Sequence, residues 1–359
     1  MMTERWSGGV NSNPVKGMQM MKMQIERALL VVLIVSFQWL GCHSPIEPKP
    51  EKEQPEWQAV NNGLDFTAVN DLKVNRVDPA QLYAGTMRNF YKTSDSGEHW
   101  QAKSSELSST YIYCIAFDPV DVNRIYCGTK LGVSMSPDAG EKWGSLAGEK
   151  TTCTITSLSI SENGTIWAGT LTGLVSSEDQ GDTWSFCDIG LYERIGAVAV
   201  QPGQPNTVLV SVRYQGIYRT WDNGKNWTKV NNGLYSESWG FDHASQFLYN
   251  SEAQEWWMVT VRNDVYRSVD PAAGWTRVGG KLAEQKIVSL AIDPADNSRM
   301  WAASLRNGVW ATSDGGQSWS VVGSEPPTSD ATAVCYAGGE KPMLFLGTFD
   351  AGIYRLSGF

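Results

Sequence analysis

Arginines recurring at one position of a repeat are the first residues in this chain whose type and spacing suggest a chemistry. A short strand ending in Gly-Thr or an equivalent pair returns seven times. Two residues beyond it stand Arg88, Leu131, Thr172, Arg213, Arg262, Arg306 and Asp350. A planar guanidinium takes a carboxylate or phosphate in bidentate fashion. Arg213, Arg262 and Arg306, with Arg88, are therefore expected to form an arc on one face, suited to an acidic ligand or an acidic protein surface. Pairing with neighbours such as Asp264 or Asp350 would account for the same arginines. A second set is ionisable where small residues are the rule. Aligned innermost strands carry Cys114, Ser157, Ala197, Gly240, Ser289 and Ala333 at one position, against Asp71 in the first unit. Two residues on, where the others have Ala, Ser or Cys, stand Lys73 and Asp242. Asp71, Lys73 and Asp242 are thus expected to cluster at an axis, because a buried charge without a partner is costly. They would form an ion pair in a wet channel, or a polar site feeding the arginine face. Two such carboxylates are also the minimum for acid and base work on a glycosidic bond.

Little else in the chain suggests catalysis. The three histidines, His43, His99 and His243, make neither an HExxH pair nor a multi-His metal site. No GxSxG elbow and no phosphate-cradling glycine loop occurs. No catalytic residue, metal or cofactor is expected. Tyr111, Tyr192, Tyr214, Tyr235 and Trp239 fall in or beside the loops of the arginine face, a mixture suited to recognition of protein or carbohydrate.

These positions are held by a repeat. An eight-residue phrase runs from Thr93 to Trp100, Ser136 to Trp143, Ser177 to Trp184, Thr220 to Trp227 and Thr312 to Trp319, with a worn copy from Ser268 to Trp275. Its tryptophans lie 43, 41, 43, 48 and 44 residues apart. A period of this size means stacked supersecondary units. Each unit reads as four short strands with period-two alternation and Gly, Asp or Asn turns. That is a propeller blade. The last unit lacks its fourth strand, and the segment Trp57 to Leu64 matches Trp227 to Leu234. The expected fold is all-β: a single seven-bladed propeller of four-stranded antiparallel blades, closed by the N-terminal strand at Trp57, which removes open sheet edges.

The phrase S/T-x-D-x-G-x-x-W resembles the Asp-box, or BNR repeat, of sialidases, xyloglucanases, sortilin-type receptors and the propellers that assist photosystem II assembly. The likeness covers 57–359. It implies that Asp95, Asp138, Asp179, Asp222, Asp270 and Asp314 are turn staples rather than catalysts. The physics agrees: an Asp carboxylate and a Ser/Thr hydroxyl bond local amides, and Gly permits a left-handed turn. The copy at Asp270 has Pro271 and Ala272 in the turn, so irregularity is expected there. True sialidases carry an Arg-Ile-Pro element and six blades, and xyloglucanases of this type pair two propellers; this chain shows neither pattern. In plan it looks like the photosystem II assembly propellers. That implies a non-catalytic scaffold for a protein partner, with a carbohydrate-binding or glycoside-hydrolysing propeller as the alternative.

The N-terminal residues read as a targeting segment, 1–42, with Lys22 and Arg27 before an apolar run from Ala28 to Phe37. That run is too short for a comfortable membrane span. Gly41-Cys42 after it resembles a bacterial lipobox, although Trp39 stands where Leu is usual. Cys42 is the expected lipidation site, with plain secretion and an uncleaved anchor as alternatives. Residues 43–56 are rich in proline and charge and read as a tether. The expectation is an exported protein, periplasmic or at the cell surface, monomeric, touching the membrane only through its lipid. A net charge of −9 argues against general nucleic-acid binding. The remaining cysteines fit no zinc pattern, and Cys153–Cys187 is the pair an oxidising compartment would allow.

Overall fold

The computed structural model describes residues 55–359, apart from 66, 147, 149, 191, 239 and 325–329. Cys42, the segment 1–42 and nearly all of the tether lie outside the described residues. The strands form seven four-stranded antiparallel sheets, arranged as a seven-bladed propeller. In blade 1 they run Val69–Val74, Leu82–Thr86, Phe90–Thr93 and Gln101–Ala102, from the axis outward. Second strands such as Leu82–Thr86, Ile125–Thr129 and Ile166–Thr170 are buried at every residue. They lie between two neighbours in their own sheet and between two adjacent blades, so their sequences are near-continuous small and apolar runs. The outer strands are short and exposed. Among the described residues no helix is long and apolar enough to cross a membrane.

The ring closes as its sequence match requires. Gln58–Ala59 pairs with Ile353–Ser357 as the fourth strand of the seventh blade. Asn61 there donates to the Ala351 carbonyl at 2.9 Å and accepts the Ile353 amide at 2.7 Å. Asn231 in blade 4 makes the same two bonds, to Gln215 and from Ile217, at 2.6 Å each. Identical side-chain bonds at both sites explain why the two segments read alike.

Five copies of the eight-residue, Asp-box-like phrase fold alike. The Ser or Thr hydroxyl donates to Asp Oδ1 at 2.7–2.9 Å. The same oxygen accepts the amide four residues on at 2.8–2.9 Å. The box glycine has a second duty beyond its left-handed φ: a Cβ on Gly140, Gly224 or Gly316 would strike Phe90, Trp167 or Trp257 of the preceding blade. The box tryptophan also crosses the blade seam. Trp100 donates to Val60, and Trp275 to Val230, at 2.8 and 2.9 Å. The copy at Asp270 is irregular. Ser268 donates to the Gly274 carbonyl instead, and Asp270 pairs with Arg219 of blade 4 at 2.8 Å.

One segment breaks the repeat. Between the outer strand of blade 4, Thr228–Lys229, and the innermost strand of blade 5, Ala244–Asn250, a hairpin of Ser236–Glu237 and Gly240–Phe241 is inserted. It accounts for the 48-residue spacing. It also corrects the axial alignment. Gln246 opposite Val259, not Gly240, is the counterpart of Asp71 opposite Gly85. The Cys153–Cys187 pair is not bridged: both are free thiols.

Candidate functional site

Two cavities lie near the predicted residues, and the structure divides the expected clusters between them. The axial one, about 740 Å³, is lined by Asp71 and Lys73 but not by Asp242. Lys73 meets Asp71 at 3.1 Å. Asp71 is also a staple, its Oδ1 accepting the Leu72 amide and its Oδ2 the Ile115 amide of blade 2 at 2.8 Å. Ser157, Gln246 and Ser289, at the same register position, likewise accept an amide of the next blade. The axial carboxylate thus fills a place that hydroxyls and an amide fill elsewhere, and every oxygen is used. Cys114 and Cys335 nearby are inert, because burial pushes both thiols far above their usual range.

The second cavity, about 430 Å³, opens at the junction of blades 4 and 5 on the face opposite the Asp-boxes. The inserted hairpin supplies Tyr235, Glu237, Phe241 and Asp242. Arg194 precedes the innermost strand of blade 4, Ile195–Gln201. Arg213 and Tyr214 follow its second strand, Gln204–Val212, and Arg262 follows the second strand of blade 5, Glu255–Thr260. Backbone bonds lock these pieces together. The Arg213 amide donates to Arg194 O, the Phe241 amide to Tyr214 O and the Val261 amide to His243 O, at 2.9, 2.9 and 3.1 Å. Gly240 is required, since a Cβ there would run into the Tyr214 carbonyl.

Strand pairing corrects the arginine arc. Thr86, Val212, Thr260 and Ser304 each pair with the first residue of their innermost strand and so share one register position. Arg88, Arg262 and Arg306 stand two residues beyond it, but on blade 4 that place belongs to Tyr214, with Arg213 one residue earlier. Of the four, Arg213 and Arg262 line this cavity, joined by Arg194; Arg88 and Arg306 are exposed elsewhere and do not line it. Arg262 is engaged, meeting Glu237 at 2.7 Å and lying 4.5 Å over the Tyr235 ring, while the Tyr235 hydroxyl donates to the same Glu237 at 3.0 Å. Arg213 lies 4.5 Å over the Tyr214 ring and donates to its hydroxyl. Asp264, a neighbour offered by the sequence, bonds Arg277 instead.

Beneath the arginines lie Asp242 and His243, 5% and 9% exposed. Burial holds the imidazole down at about 4, and Arg213 and Arg194 add to the effect, so it is neutral at pH 7. Burial raises the Asp242 carboxyl above its ordinary range, against the pull of Thr260, the His243 amide and Arg262. Its Oδ1 accepts the His243 amide at 2.9 Å; its Oδ2 is buried with no hydrogen-bond partner. Of the aromatic residues singled out above, Tyr214 and Tyr235 line the cavity and Tyr192 is 88% exposed. Tyr111 stacks on Tyr113 at 4.6 Å, and Trp239 lies outside the described residues. Reasoning from sequence missed Arg194, Glu237 and the hairpin; the 48-residue interval was the signal that could have found them.

No protein-family model and no curated protein matches the chain. Its fold is similar to solved seven-bladed propellers. The extracellular domain of the putative hybrid two component system BT4673 from B. thetaiotaomicron matches at TM-score 0.66 and 17% identity, over 84% of this chain and 39% of that one. The Niastella koreensis GH74 enzyme matches at TM-score 0.67 and 15% identity, over 83% and 53%. YCF48 bound to D1 peptide matches at TM-score 0.64 and 15% identity, over 86% and 100%. The chain thus spans about two fifths of the BT4673 domain and the full length of YCF48. At these identities the likeness is one of fold, and the same fold serves enzymes and binding proteins.

Proposed function

We propose that this chain is an exported, lipid-anchored, non-catalytic propeller that docks a protein partner on the face opposite its Asp-boxes. One observation carries the reading. At the junction of blades 4 and 5, Arg194, Arg213 and Arg262 are exposed together with Tyr235, and Tyr192 lies in the same connection as Arg194. Arginine and tyrosine are the side chains that most often anchor protein interfaces, and the cations select an acidic surface. Arg88 and Arg306 extend the cationic rim. Lipid on Cys42 and the stalk 43–56 would hold the rim clear of the membrane. Two likenesses support this, an extracellular bacterial domain and a propeller solved with a bound peptide. A pull-down from membranes tests it: changing Arg213, Arg262 and Arg306 to Ala should abolish capture, and an unchanged set of partners would sink the idea. Cys42→Ala should move the protein to the soluble fraction.

A glycan ligand is the second reading. It is favoured by Glu237 and Asp242 facing one cavity, the latter held toward its protonated form, and by the GH74 likeness. Screening on polysaccharides, with Glu237→Gln and Asp242→Asn as controls, separates it from the first.

A further inference from the structure

The cavity between blades 4 and 5 joins two exposed arginines to a buried carboxylate. Arg194 and Arg213 meet no carboxylate within ion-pair distance among the described residues. Glu237, the nearest candidate, is consumed by Arg262 and the Tyr235 hydroxyl. The imidazole beside the two arginines is buried. Asp242 lines the same cavity, and one of its carboxylate oxygens is buried without a hydrogen-bond partner of ordinary geometry. Leaving such an acceptor unsatisfied is costly.

We propose that this cavity binds a free α-amino acid, its carboxylate on Arg194 and Arg213 and its ammonium on Asp242. A ligand with both charges on one carbon satisfies both poles at once. An anion alone would answer the arginines and leave Asp242 orphaned. An amine alone would do the reverse. A hydroxyl in place of the ammonium would bond Asp242 but would offset little of the cost of burying a carboxylate, which a cation offsets far better. Tyr214, Phe241 and Val261 form the apolar part of the lining, so the side chain bound is apolar or aromatic. The volume, about 430 Å³, is within the range of small-ligand sites. The inference does not depend on a protein partner, which would dock on the exposed rim above. Calorimetry on the purified protein reads the ligand, and the membrane pull-down reads the partner, so either can fail alone.

The test titrates the full chain with each of the twenty common L-amino acids. The tightest binder is then compared with its deamino, decarboxylated, α-hydroxy and N-acetyl analogues. Each analogue should bind about tenfold more weakly or worse, as expected for the loss of one charge-assisted bond. Asp242→Asn and Arg213→Gln should each weaken the amino acid by about tenfold or more. Asp242→Asn removes a strained carboxylate and is expected to stay folded, which thermal unfolding verifies; Arg213→Gln, at an exposed residue, gives an independent reading. Absence of binding by every amino acid would overturn the proposal. So would a deamino or N-acetyl analogue that binds as well as its parent, or an Asp242→Asn protein that binds like the wild type.

Discussion

The two ends of this propeller treat the same side chain in opposite ways. At the Asp-box end an exposed Asp accepts a hydroxyl and an amide with one oxygen. In four boxes the second oxygen takes a further partner: His99 for Asp95, Thr183 for Asp179, Asn226 for Asp222, Ser318 for Asp314. The hydroxyl and amide of Thr183 hold Asp179 down at about 2, and Asn226 does the same for Asp222. At the opposite end, Asp242 is buried, one oxygen has no partner, and its carboxyl is pushed up. The carboxylates that recur are spent locally on turns. The one that does not recur is left over. In a repeat protein, departure from satisfaction marks function better than recurrence does.

Four perturbations would break or sharpen this contrast. The largest concerns acid. His243 titrates near 4 when folded and near 6.5 when unfolded, so below 6.5 the unfolded chain takes up the proton first. Stability should therefore be intact above pH 6.5 and fall by roughly 3 kcal/mol as pH drops to 4. His243→Gln should flatten that part of a urea-unfolding profile. The Asp-box carboxylates act lower, since a depressed folded pKa protects above about 4 and is lost as pH falls toward 2. A profile with no loss between pH 6.5 and 4 would contradict the buried, neutral imidazole.

Next in size is Gly316→Ala. Its Cβ would require a left-handed backbone and would strike Trp257, for a cost of about 3 kcal/mol in chemical denaturation. Gly315, also left-handed but with open space around it, should accept Asn at far smaller cost. Equal effects at the two glycines would remove the second duty assigned to the box glycine.

Smaller, and opposite in sign at the two ends, are the Asp→Asn exchanges. Asp222→Asn should destabilise, because it weakens a satisfied turn. Asp242→Asn should stabilise by about 1 kcal/mol at neutral pH, because it removes a buried carboxylate that lacks a full set of partners. Melting temperatures shifting the same way in both would erase the contrast. The smallest effect belongs to Glu237→Gln, which frees Arg262 from an exposed ion pair of a kind that contributes little to stability. Stability should hardly change, while capture of an acidic partner should improve.

Much of this was legible in advance because a repeat is a ruler. Tryptophans at near-constant spacing and a Trp57 segment matching Trp227 predicted seven blades and the closure that strand pairing displays. The Asp-box turns were equally legible, since their bonds run between residues at most four apart. The site was legible only in pieces. Arg213 and Arg262 do line one cavity, although Arg213 stands one residue off the expected register on blade 4. Asp242 was set at the axis because five inserted residues shifted the counting, and an insertion leaves no mark on composition. Arg194 gave no signal, standing outside every aligned position.

The sequence by itself determined the blades, their number, their turns and the closure of the ring. These depend on local bonds and on a period, and both are written along the chain. Only the tertiary structure decided which charges are answered. Whether Asp71 finds the Ile115 amide, whether Glu237 takes Arg262, and whether Asp242 is left alone depend on neighbours from other strands or adjoining blades. Burial sets the cost of an unanswered charge, and burial is a property of the assembled ring.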